Sequence, residues 1–442
     1  MNYRRKKRSQ EHEAADKHAS APKGRVLLDH PLVLSQTAEL VTTPDELADF
    51  VAHLAEERFV AYDTEFIGEE SFYPKLCLVQ VATSQRIALV DPVPLRAAGE
   101  DLGALFRAIA APGRTVIVHS GDTDMDILRR AAGGDPPEVV DTQVAAALAW
   151  MPWPSSLGTV LENLAGVRLG KAHTFTNWDA RPLTPAQLGY AADDVRYLRL
   201  IWDALHTQLS ALGRLEWALR ESAEQLRGAA FDPEGQLRRL QRAEPMRAGQ
   251  ILVARELVTL RHELARTHDL PTRTVMPDAA ILELSKRKPT DRAQILQLGG
   301  MPRRILQDNA DAIAAAVARA KAVVPEGEPN GSLLEDPRVR AECDALWNVI
   351  QVRAGSVGLA ANLLLTRAVF TRWFAGFVDA RRQGRTLPVC GGEGALFAEG
   401  DWRGEALGRW LAGFLAGTER LELVWSAAGA TAPGMQRPQP AQ

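Results

Sequence analysis

The chain has 442 residues, 46% of them hydrophobic and 24% charged, with a formal net charge of −3. That length predicts two to four domains with a substantial core, and the near-neutral balance excludes a global basic field, so any nucleic-acid contact must rest on local patches. Cys77, Cys343 and Cys390 stand far apart with no C-x-x-C pair, which excludes a zinc knuckle or a disulfide framework; with no apolar run of membrane length and no apolar segment after the basic start, a cytoplasmic protein is expected.

Residues 1–30 are polar and open with Arg4, Arg5, Lys6, Lys7 and Arg8. They read as a disordered basic tail, either simply solvated or a non-specific phosphate-binding arm. A short strand near residue 40 leads to a helix that Thr43 can cap, with Pro44 at its first position and Leu47, Phe50, Val51 and Leu54 on its apolar face. Residues 59–66, FVAYDTEF, form a strand; residues 76–82 and 86–90 are apolar, β-rich and joined by a short turn, hence a hairpin. A helix over 102–110, a buried strand over 115–119, a helix from Asp122, a strand end at 139–141, and helices over 142–150, 157–164 and 185–209 complete a mixed α/β sheet flanked by helices. After residue 210 the strand signal stops. Helices over 247–267, 278–287 and 291–320 precede a linker at 325–332 and a second helical block. The fold class is therefore α/β followed by all-α, with a basic tail at 1–30, an α/β domain at 31–212, helical domains at 240–324 and 333–426, and a disordered tail at 427–442.

Three acidic spots stand out. Asp63 and Glu65 end the apolar strand two residues apart, so they share one face of it. Adjacent carboxylates repel and lose hydration when buried, unless a hard cation such as Mg²⁺ or Mn²⁺ sits between them. A lone D-x-E, taken by itself, favours a solvated strand end, so the rest of the chain must supply the remaining ligands. The second spot is the run Asp122, Asp124 and Asp126 at a strand-to-helix junction; it lacks the glycine and glutamate of a calcium loop. Asp122 is placed to cap the helix, and spacing does not choose between Asp124 and Asp126. The third is Tyr190 and Asp194, four apart on a helix, with Asp193 pointing off that face as a solvated neighbour. Trp150, Trp153 and Trp178 read as packing residues.

In that order the three spots resemble the DEDD superfamily of 3′–5′ exonucleases, in its tyrosine subgroup. FVAYDTEFIGEESFYPKLCLVQVA, with Tyr73, Pro74, Leu76 and Gln80, VIVHSGDTDMDIL, VVDTQVAAAL, and LGKAHTFTNWDARPLTPAQLGYAADDVRYL, with Lys171, Trp178, Arg181, Pro182 and Leu183, are similar to the motifs of the ribonuclease D family. Residues 247–320 resemble the helicase-and-RNase-D C-terminal (HRDC) domain, and 333–426 a more divergent second copy. The resemblance implies a ribonuclease H-like exonuclease domain, selects Asp124 from its run, and makes Asp63, Glu65, Asp124 and Asp194 the ligands of two divalent ions, Mg²⁺ or Mn²⁺. Tyr190 would orient the attacking water, being a poor base at its ordinary pKa near 10. The implied activity is hydrolysis of RNA from the 3′ end, releasing nucleoside 5′-monophosphates, with tRNA precursors and other structured RNA as substrates and a monomer as the working form. A DNA exonuclease and a catalytically idle nucleic-acid-binding scaffold are the alternatives. Lys286, Arg287, Lys288, Arg303 and Arg304, with Arg273, are candidate phosphate contacts, or else ordinary solvated helix ends.

Overall fold

Six strands build the main sheet: β1 (Glu39–Val41), β2 (Phe59–Ile67), β3 (Lys75–Ala82), β4 (Ile87–Val90), β5 (Thr115–Val118) and β6 (Glu138–Asp141). Their order is β1-β4-β3-β2-β5-β6, with β3 antiparallel to both neighbours and the other pairs parallel. The computed structural model describes residues 28–169, 177–228, 231–323, 333, 336–422, 424–426 and 429–431. The basic tail up to residue 27, the linker at 325–332 and Lys171 lie outside these. Beyond the second helical block, Val424–Ser426 pairs with Gly429–Thr431, so strand pairing reaches into the segment from 427 where no structure was expected.

One register feature positions the site. β2 pairs with β3 from Ala61 to Ile67, with a bulge between Glu65 and Phe66, but with β5 only from Phe59 to Ala61. The half of β2 that carries Asp63 and Glu65 therefore has β3 on one side and, among the described residues, no strand on the other. β2 is an interior strand whose last residues outrun its neighbour.

The helices are α1 (Pro44–Leu54), α2 (Pro92–Ala97), α3 (Gly103–Ile109), α4 (Asp122–Ala132), α5 (Thr142–Leu148), α6 (Leu157–Ala165), α7 (Pro185–Arg196), α8 (Leu198–Ala211) and α9 (Leu215–Gln225). Thr43 caps α1, as its sequence predicts, and the structure adds a full capping box with Glu46. The single helix expected over 185–209 is two. α7 ends at Tyr197, which is 2% exposed, and the Arg196 guanidinium donates to the Leu34 and Gln36 carbonyls. The break lets α7 lie across β2, β3 and β4 while α8 packs on α5 and β5. Two helices carry no clear signal in the sequence: α2, which Asp91 caps, and α9, whose buried residues Ala218, Glu221 and Ser222 are not the apolar repeat that marks a helix.

The first bundle comprises α10 (Pro233–Ala243), α11 (Ala248–His268), α12 (Thr272–Val275), α13 (Asp278–Arg287), α14 (Arg292–Leu296) and α15 (Arg303–Ala322). It has its own core, which Phe72 of the loop after β2 joins. Phe72 meets His262 edge-on, the Tyr73 amide donates to Asp269 Oδ1 at 2.9 Å, and the Arg130 guanidinium of α4 lies 4.5 Å from the Tyr73 ring centre. The second block, α16 (Pro337–Ser356), α17 (Ala361–Leu364), α18 (Arg367–Arg382), a π-turn at Gly404–Gly408 and α19 (Arg409–Leu415), has no separate core. Its Trp347, Phe370, Phe397 and Trp402 share one cluster with α5, α8 and α9. Trp150 packs here: a Cβ on Gly358, at φ +68°, would fall 2.0 Å from its ring.

Candidate active site

Asp63 and Glu65 leave β2 on the face that α7 covers, opposite Gln80 and Leu78 of β3. Burial raises the Asp63 carboxyl well above the usual range, with Asp124, Asp194 and Glu65 adding to the rise and a backbone hydrogen bond at Thr64 opposing it. Glu65 is pushed up to about 8, by burial first and then by Asp194 and Asp124.

Asp124 arrives from the open side of β2. β5 stops at Val118 and α4 starts at Asp122. A Cβ at Gly121 would lie 2.7 Å from Val118 Cβ, so glycine is what allows the helix to begin so close to the strand end. The Asp141 carboxylate pins this turn by accepting from the Ser120 amide at 3.0 Å, holding Ser120 at φ +59°, and from the Gln143 amide at 2.8 Å. Asp124 itself is 7% exposed; Thr64 Oγ1 donates to its carboxylate and the Tyr62 hydroxyl to its carbonyl at 3.2 Å. Burial lifts its pKa to about 6 against the pull of the Thr64 bond. Asp122 does not cap α4: the cap position belongs to Gly121, with no side-chain bond, because the tight turn places Asp122 inside the first turn. Beneath the turn, burial drops His119 to about 4, so its ring is neutral at pH 7, held between Thr142 Oγ1 and the Ser155 carbonyl.

α7 brings the last two groups. Thr184 caps it in a capping box with Gln187. Tyr190 hydrogen-bonds Asp194 one turn on, and burial followed by Asp194, Glu65 and Asp63 raises the phenol well above its ordinary value. It stays protonated at neutral pH. Trp178 is buried beside it, ring centres 6.2 Å apart. Arg181 ties the preceding loop to the sheet: it grips Asp91 with Nε and Nη2 at 2.6 and 2.8 Å and also reaches the Cys77 and Trp178 carbonyls. Asp193 is not solvated. It is 7% exposed and pairs with the buried Arg196 at 3.2 Å, because the face opposite the active groups is turned into the core by the break at Tyr197.

The structure thus brings Asp63, Glu65, Asp124, Asp194 and Tyr190 to one place, where each acid raises the proton affinity of another. Among the described residues, no three His, Cys, Asp or Glu side chains are gathered tightly enough to hold one ion as they stand. The donor set still fits divalent cations: the groups are hard oxygens, partly desolvated, and their raised proton affinity is a demand for positive charge. The basic residues of the first bundle behave differently. Lys286 pairs with Glu244 at 2.7 Å, Arg287 with Glu283 at 2.5 Å and Arg304 with Asp308 at 3.8 Å; Lys288 ends α13 in a left-handed conformation and Arg303 starts α15. None of the five belongs to the carboxylate site. One group that the sequence reading gave no role is Gln80. It is fully buried against this site, and neither side-chain polar atom has a partner.

Residues 38–210 match the family pattern described as 3′–5′ exonuclease, and residues 250–317 match that of the HRDC domain. The ribonuclease D of Acidiphilium cryptum (strain JF-5) is 32% identical over 338 residues, spanning 74% of this chain and 83% of that one. The chain belongs to the ribonuclease D family. The ribonuclease D of Cronobacter turicensis is 28% identical over 374 residues, or 84% of this chain and 97% of that one. The crystal structure of Escherichia coli RNase D, an exoribonuclease involved in structured RNA processing, matches with a TM-score of 0.67 at 26% identity and covers 87% of this chain and 100% of that one. The ribonuclease D likeness therefore runs beyond the sheet domain into the helical half. Exonucleases of this fold generally use divalent metals.

Proposed function

We propose that this 3′–5′ exoribonuclease trims the 3′ ends of structured RNA, tRNA precursors among them, with two divalent ions, Mg²⁺ or Mn²⁺, held by Asp63, Glu65, Asp124 and Asp194. The observation that carries this reading is the meeting of four carboxylates and Tyr190 beside the open end of β2. Bound divalent ions there supply Lewis-acid stabilisation of the scissile phosphate and acidify the attacking water. The chain's own part is to present oxygen donors from three separate elements and to orient that water. A phenol this reluctant to ionise is no general base; its hydroxyl serves as a fixed hydrogen-bonding group, aimed by Asp194. Tyr190→Phe is expected to lower kcat about a hundred-fold, within the range for a positioned proton-handling group, with KM for RNA little changed. Steady-state kinetics on a 3′-labelled strand checks this, and an unaltered kcat removes Tyr190 from the mechanism.

Release of single nucleotides from a 5′-labelled precursor tRNA tests the whole reading. Stepwise shortening from the 3′ end, abolished by chelator and restored by Mg²⁺ or Mn²⁺, is the expected result. Faster degradation of a matched DNA strand would move the substrate class to DNA. The working form is a monomer in the cytoplasm, checked by sedimentation, and the second helical block acts as a divergent HRDC unit that, with the basic residues 286–288, 303 and 304 of the first bundle, holds the RNA body.

Metal binding carries its own pH signature. Glu65 and Asp124, with folded pKa values of about 8 and 6, hold protons above their unfolded values near 4. Their contribution to stability is present at acid pH and lost as the pH climbs through those values. The metal-free protein should therefore lose thermal stability between pH 5 and 8. Mn²⁺ at a hundred-fold excess over its Kd should restore about 2.7 kcal/mol; at one fixed Mn²⁺ concentration the shift should be larger at pH 8, where fewer protons compete, and proton release on binding greater at pH 6, where more must be displaced. A metal-induced shift independent of pH would contradict the assignment of these acids as ligands.

A further inference from the structure

Gln80 lies on β3 directly across from Asp63. Directly opposed residues of an antiparallel pair project to the same face, with Cβ atoms about 4.5–5.5 Å apart, so a glutamine amide there is within reach of the Asp63 carboxylate by side-chain rotation. Its neighbours on that face, Leu78 two residues before it and Leu89 across from it on β4, are apolar. The side chain is 0% exposed, and both Oε1 and Nε2 stand without a hydrogen-bond partner. Packing gives no reason for an amide at this position: a leucine or methionine would fill it and leave no buried polar atom unpaired. What an amide offers beyond an apolar side chain is an N–H that can donate to a carboxylate.

We propose that Gln80 is a positioning residue for the metal site: in the metal-loaded enzyme its Nε2 donates to the Asp63 carboxylate and fixes which oxygen Asp63 turns toward the ion. The inference rests on the reading of Asp63 as a metal ligand. It gives the orphaned amide a function, because the group that is unsatisfied in the folded chain gains a partner directly across the strand pair when Asp63 turns to hold the ion. Residues that orient metal ligands from behind are worth roughly 10- to 100-fold in metal affinity.

The test uses the full chain with Gln80→Met, which keeps the length and removes the amide, and Gln80→Leu as a second variant. In chelator both should melt at or a few degrees above wild type, since two unpaired buried atoms are gone. In calorimetric titration with Mn²⁺ both should bind about 10- to 100-fold more weakly, and kcat on RNA should fall with KM for RNA unchanged. Mn²⁺ affinity equal to wild type overturns the proposal, and so does a melting temperature well below wild type in both variants, which would make the amide a part of the fold. Wild type that binds no Mn²⁺ overturns the metal-site reading itself, and is thereby distinct from the case in which wild type and variants bind alike.

Discussion

Asp63→Asn should remove nearly all activity and, at the same time, make the metal-free protein more stable. Asp63 stands between Asp124, Asp194 and Glu65, and its carboxyl is raised well above the usual range by burial and by those three neighbours. An amide of the same shape deletes one charge from that cluster. Loss of a metal-holding carboxylate takes several kcal/mol from the transition state, about a thousand-fold or more in kcat at 1.36 kcal/mol per decade. The gain in melting temperature in chelator should grow from pH 5 to pH 8. At the acid end wild-type Asp63 carries its proton and costs little; as the pH rises, ionisation against its neighbours is increasingly unfavourable, and only wild type bears that cost. Single-turnover hydrolysis and calorimetry measure both halves. Asp193→Asn is the contrasting control: it breaks a buried pair with Arg196, so stability should drop while kcat holds. If Asp63→Asn cleaves RNA at the wild-type rate, the carboxylate site is not the catalytic centre.

Glu221→Ala should be the most damaging change outside the active site. The Glu221 side chain of α9 is 1% exposed; it receives the Arg403 guanidinium at 2.6 Å and the Trp402 indole N–H at 2.8 Å, both from the second helical block. Removing it leaves the buried Trp402 indole N–H unpaired and takes the closest acid from Arg403, which keeps Asp401 at 3.3 Å and Glu224 at 3.9 Å; a loss of about 2–3 kcal/mol is expected. Its neighbour Ser222 accepts the Asp141 amide at 3.1 Å, and Asp141 holds the turn before Asp124. The variant should therefore unfold at markedly lower urea concentration and, below that, show weakened metal binding. Equal urea midpoints for variant and wild type would mean that this contact does not secure the second block.

The two experiments probe parts of the molecule that differ in how far the sequence reveals them. The Asp63–Glu65 pair, the strand that bears it, Tyr190 with Asp194, and the order of strands and helices were legible because each is a local pattern: alternation along β2, four-residue spacing on α7, a cap at Thr43. Asp122 and Asp193 were misread because local pattern ranks residues by type. A cap is decided by where the helix starts, and burial by what packs on it. Glu221 carries no signal in the sequence, and Gln80, although part of a family-like motif, shows no role there, for a related reason: a buried polar residue has no periodic signature, and its role depends on a partner 181 residues away, in the case of Glu221 and Trp402, or, for Gln80, on a cross-strand neighbour.

By itself, the sequence determined that an α/β domain precedes helical bundles and that acids of the right kind occur in the right order, since secondary structure follows side-chain periodicity and the motifs are short. Only the tertiary structure decided that the acids meet. That outcome follows from β2 running on beyond β5, from Gly121 admitting α4 at the strand end, and from the break at Tyr197 that lays α7 across the sheet. These are register and packing choices made between segments distant in sequence, where burial and charge repulsion act on the whole fold and no local spacing records them.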